Sequence, residues 1–154
     1  MDKREQQVDI WLEHEADKRP RFHRLGAFYY QRFMRTHDIL DIEMAIAYQG
    51  EILRFTLGSH PDKPSWLNSL GSSLLSRFER LGDLNDINRS VSMKEDALQL
   101  TPDGHPDKPS WLNNLGISLL SRFERLGDLN DLNKSILMKE DAVLLTPDSH
   151  PDKP

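Results

Sequence analysis

There is no cysteine in this chain of 154 residues. A disulfide framework, a thiolate zinc site and a cysteine nucleophile are excluded together. Positive charge is short as well: 20 Lys and Arg stand against 25 Asp and Glu, a net charge of −5. No broad basic footprint is left for nucleic acid or anionic lipid, so neither nucleic acid nor membrane is an expected partner. Long apolar runs are missing, and with them any segment that could span a bilayer. The opening MDKREQQVDIWLEHEADKR is charged throughout and lacks the apolar core of a signal peptide. With no address in sight, an intracellular, cytoplasmic setting is the expectation. There is no Gly-rich phosphate loop, no GxSxG and no HExxH. Apolar residues make up 37% and charged residues 29%. That is polar for a compact globule and ordinary for a thin solenoid with much of its surface wet.

What is present is repetition. Segment 60–104 and segment 105–149 align without a gap and differ at nine of 45 positions. A diverged copy fills 15–59: Asp17-Lys18 match Asp62-Lys63, Leu25-Gly26 match Leu70-Gly71, and Arg32-Phe33 match Arg77-Phe78. Asp38, Asp41 and Ile42 match Asp83, Asp86 and Ile87. Residues 1–14 fall in the register of a second helix and read as an N-terminal helical cap or degenerate half-repeat. Residues 150–154, HPDKP, read as the start of a truncated fourth repeat.

Each unit reads as two helices. Leu67, Leu70, Leu74, Phe78 and Leu81 step by 3, 4, 4 and 3, a helical stripe and not a strand alternation. Pro64 falls where a first-turn proline costs little. Asp62 or Ser65 is placed to cap the start, Gly82 to end the helix, and Asp83 to cap the next. The second stripe is Leu84, Ile87, Val91, Ala97 and Leu98. The third unit repeats both with Leu112, Leu115, Leu119, Phe123 and Leu126, then Leu129, Leu132, Ile136, Ala142 and Leu145. Gly71 and Gly116 sit mid-helix, where glycine costs up to about 1 kcal/mol against alanine. A missing Cβ there would admit a close neighbouring helix. One hairpin cannot bury its stripes alone, and stacked neighbours can.

Few residues promise chemistry. HPDK recurs at 60–63, 105–108 and 150–153. HPD also marks J-domain co-chaperones, but a copy every 45 residues reads as a linker and capping turn. His60, His105 and His150 would stand about 10 Å apart in stacked repeats, too far for one ion. Glu95-Asp96 and Glu140-Asp141 read as solvated helix faces. Arg77-Phe78-Glu79-Arg80 and its copy at 122–125 form a charged patch whose arginines are expected to pair with nearby Glu or Asp at i,i+3, with Phe78 and Phe123 in the core. The reading is of no catalytic residue, no metal site and no cofactor.

The units resemble tetratricopeptide repeats, in the long variety of kinesin light chains and many fungal proteins. Leu67, Leu70, Gly71 and Leu74 carry the first-helix pattern, and Ser90, Ala97 and Pro102 the second. Unit three supplies Leu112, Leu115, Gly116, Leu119, Ser135, Ala142 and Pro147. Unit one supplies Phe22, Leu25, Gly26, Tyr29 and Ala45, with Ile52 and Leu57 where Ala and Pro are expected. An aromatic is common mid-way along the second helix, but Met93-Lys94 and Met138-Lys139 stand there, so looser or rotated packing is expected. The resemblance implies an all-α fold: an α-solenoid of three tandem helix–turn–helix repeats in a right-handed superhelical stack.

It also implies a non-catalytic scaffold that holds a peptide or partner protein in a concave groove lined by the first helices. By matching position that groove would present His23, Asn68 and Asn113, then Ser72 and Ile117, then Tyr30, Leu75 and Leu120. Each asparagine amide can donate to and accept from an extended backbone, while Tyr30, Leu75 and Ile117 would set preference. Two other expectations stand beside it. The chain is a fragment of a longer array whose activity, for example a CHAT-type peptidase or an NTPase domain, lies elsewhere. Or it is a structural module that self-associates edge to edge.

Overall fold

The computed structural model describes residues 18–147 and Pro151. The expected cap at 1–14, and all of the HPDKP stub except Pro151, lie outside those residues. The described chain is all-helical. Six helices follow in pairs: α1 (Lys18–Thr36), α2 (Ile39–Arg54), α3 (Lys63–Leu81), α4 (Leu84–Gln99), α5 (Lys108–Leu126) and α6 (Leu129–Leu145). From α3 onward, each helix starts 45 residues after its counterpart in the preceding pair. No helix among the described residues is long and apolar enough to cross a membrane.

The chain divides into two units, residues 1–58 and 59–154. In the first, α1 and α2 pack on one another, with Phe33, Ile42 and Ala45 buried and Tyr29, Tyr30 and Ile46 against them. In the second, α3 packs on α4, α4 on α5, and α5 on α6, and α3 also touches α5. Leu75, Phe78 and Ile87 form the core of the α3–α4 pair. Val91 of α4 buries itself against Leu115 and Leu119 of α5, with Leu98 and Met138 beside them.

Turn chemistry ends the first helix of each pair where its sequence requires. Gly82 and Gly127 take positive φ, 72° and 74°, and return their N–H to Phe78 and Phe123. In unit one the same place is held by His37 at φ 58°, a left-handed conformation that costs a residue with a Cβ about 1–2 kcal/mol. Asp38, Asp83 and Asp128 then cap the next helix, each accepting from the N–H two residues on at 2.9–3.0 Å.

The apolar stripes shorten at their ends. Leu67, Leu70, Leu74 and Phe78 are buried, but Leu81 and Leu84 beside the turn are exposed. In the last pair Leu126, Leu129, Ile136 and Leu145 are exposed, and Phe123 is half-buried and not core. Among the described residues nothing packs beyond α6 to cover them. The second helix buries more polar groups than its stripe foretold: Asp86, Ser90 and Lys94 lie with Ile87, Val91 and Ala97.

Candidate functional site

The HPDK turns are spent on structure. His60 stacks on Trp66 with ring centroids 4.8 Å apart, and His105 on Trp111 at 5.2 Å. Nδ1 of each histidine accepts the N–H of the aspartate two residues on, at 3.1 Å. Asp62 and Asp107 stand at the N-cap, yet their carboxylates make no capping bond. The imidazole holds the turn, and the expected carboxylate or serine cap gives way to it. His150 lies outside the described residues. Among the described residues no three His, Asp or Glu gather to hold a metal ion.

The arginines pair across the hairpin and not along the helix. Arg77 meets Asp86 through Nε and Nη2, both at 2.7 Å, and Arg122 meets Asp131 in the same way. Arg32 and Asp41 repeat the fork in unit one. The nine-residue spacing reaches over the turn, from the last turns of one helix to the first turn of the next. No acid stands three or four residues from Arg77 or Arg122 along its own helix, whereas the acid across the turn offers a bidentate fork onto a buried carboxylate. Arg32 holds the Asp41 carboxyl below the usual carboxylate range, and Asp131 pushes the Arg122 guanidinium further up.

Lys94 is the residue that sequence reading missed. It is 2% exposed in the middle of α4. Its stem lies over Gly71, where a Cβ would come within 2.8 Å of Lys94 Cγ. Its ammonium donates to Ser118 Oγ at 2.8 Å and to the Asn114 carbonyl at 3.1 Å, both on α5. Ser90 Oγ donates to the Gly71 carbonyl at 2.6 Å and lies 2.9 Å from Ser118 Oγ. Burial pulls the lysine down from 10.5 to about 8, against the pull of Glu79. The position where a looser contact was expected thus ties α3, α4 and α5 into one network. The signal was a lysine 23 residues after a mid-helix glycine, in both full repeats.

The expected groove residues fall into different surroundings. His23 is exposed on α1 and Tyr30 packs half-buried against the core of the first unit. In the second unit Leu75 is 8% exposed and belongs to the core with Phe78 and Ile87, so it offers no pocket. Asn68 is half-buried and accepts from Asn114 Nδ2 at 3.4 Å; Asn113, its repeat equivalent, is exposed. Ser72 and Leu120 are half-buried, and Ile117 is 39% exposed. The asparagine contact between α3 and α5 therefore runs from Asn68 to Asn114, one residue off the repeat register.

A groove that the sequence did not single out lies between α4 and α6 over α5. It is open and has a volume of about 720 Å³. Half-buried Leu98 and Met138 and exposed Leu144 and Leu145 give it an apolar lining, over the buried Leu112 and Leu115 at its base. Two ion pairs frame it: Glu95 with Lys134, from α4 to α6, and Asp103 with Lys108. Asp141 adds a further carboxylate to the lining. The lining runs in sequence from Glu95 to Leu145, across three helices and a loop, which is why no local motif announces it. No protein-family model matches the chain, and no curated protein matches it.

Proposed function

We propose that the chain is a non-catalytic protein-interaction scaffold of the tetratricopeptide kind, with the α4–α5–α6 groove as its binding face. The observation that carries this reading is the coincidence, in one open groove, of an apolar lining and a charged frame. Such a surface suits a partner segment that inserts apolar side chains and sets a cationic group near Asp141. The rest of the chemistry supports it: the histidines hold turns, and the arginines hold hairpins. Packing of α5 on both α3 and α4 supports the solenoid reading within the second unit. The first-helix face keeps a lesser claim, with Asn113 and Ile117 exposed and Leu75 spent in the core.

The two faces are separable by mutation. Wild type, an Asn68→Ala/Asn113→Ala variant and an Asp141→Lys/Leu145→Glu variant are compared in quantitative pull-downs for one and the same captured partner. The groove reading expects about tenfold weaker capture by Asp141→Lys/Leu145→Glu and little change in the asparagine variant. Equal recovery by all three contradicts the scaffold reading at both faces.

A further inference from the structure

The outer face of α6 repeats, position for position, the face of α4 that α5 covers. Ile136 stands for Val91, Lys139 for Lys94, Glu140 for Glu95 and Val143 for Leu98. On α4 this face is closed at Val91 and Lys94 and half-buried at Leu98: Val91 is 2% exposed, and Leu115 and Leu119 of α5 lie on it while Ser118 takes the lysine ammonium. On α6 it is open. Ile136 is 47% exposed, and Ile136, Lys139, Glu140, Val143 and Leu144 line an uncovered depression. The backbone beneath is prepared in the same way. Ser135 Oγ donates to the Gly116 carbonyl at 2.7 Å, as Ser90 does to Gly71. A Cβ on Gly116 would come within 3.2 Å of Lys139 Cγ, so the Lys139 stem already lies over the glycine.

We propose that this face docks a partner helix of α5's own pattern, with Leu, Ser and Leu at i, i+3 and i+4. The two leucines would cover Ile136 and Val143, and the serine would accept from Lys139. The internal repeat supplies the reason for that occupant: the same face, one unit earlier, is covered by such a helix. A folded second copy is a poorer fit, because its α3 and α5 already bury the corresponding leucines, Leu70, Leu74, Leu115 and Leu119. The proposal is testable apart from the groove reading: the two surfaces share Leu144, but neither Ile136 nor Val143 lines the groove.

The test uses the full chain and a fluorescent synthetic peptide with the sequence of residues 105–126, followed by anisotropy. Saturable binding is expected. It should weaken at least tenfold on an Ile136→Glu/Val143→Glu chain, and as much when the peptide carries Leu115→Ser/Leu119→Ser. Both chain substitutions sit at exposed positions; circular dichroism checks the fold, and Ile136→Lys alone serves as a second variant. Absent binding, or binding indifferent to the α6 substitutions, overturns the proposal. So does a wild-type chain that light scattering shows to self-associate through Ile136 and Val143, which would give the face to a second copy.

Discussion

Two mid-helix glycines that look alike in sequence have different work. Gly50 lies inside α2 with open space where a Cβ would stand, whereas Gly71 lies under Lys94. Gly50→Ala should stabilise by up to about 1 kcal/mol, the helix-propensity difference. Gly71→Ala should destabilise, because the lysine stem and the Ser90 carbonyl must both move. Chemical denaturation of the two variants checks the opposite signs. Lys94 gives a second test at this scale. Its folded value, about 8, lies below the ordinary 10.5. Between those limits the unfolded chain holds the proton that the folded chain has released, so stability should rise with pH there. Wild type should gain up to about 3 kcal/mol on Lys94→Met as pH rises from about 8 through the ordinary lysine range. A pH-independent gap between the two would contradict a desolvated ammonium. Sequence reading reached the glycine's reason but not the lysine's. Spacing shows where a Cβ must be missing; it does not show that a long charged side chain fills the space.

At the scale of elements, each hairpin is clasped at its turn. A left-handed residue ends the first helix, an aspartate caps the second, and an arginine fork ties them. Removing one partner of the fork leaves a buried carboxylate uncompensated. Arg77→Met should therefore cost about 3 kcal/mol, and Arg77→Met/Asp86→Leu should recover much of it. Thermal or urea unfolding of the pair decides the point. A double variant no better than the single one would mean that the fork is not where the energy lies. Helix number, the glycine stops and the aspartate caps of the second helices were legible in the sequence, because they are local and repeat at fixed spacing. The fork was not: its partners stand nine residues apart on two helices, and only the packed hairpin brings them together. The ends of the leucine stripes were misread for a related reason. Leu81 and Leu84 keep the period but flank the turn, where no neighbour remains to cover them.

At the scale of the molecule, the described chain is two units of helical pairs, and the second unit holds both the groove and the uncovered face of α6. The groove was invisible in the sequence because three helices and a connecting loop contribute to it, and each contribution is ordinary alone. The central claim is that a partner lies in that groove over α5. The most direct measurement is an amide hydrogen-exchange footprint of the chain with and without the partner recovered by pull-down. The account predicts slowed exchange in segments 95–112 and 134–145, with segment 66–75 of α3 unchanged. Protection confined to α3 and the exposed side of α5 around Asn113 and Ile117 would contradict it.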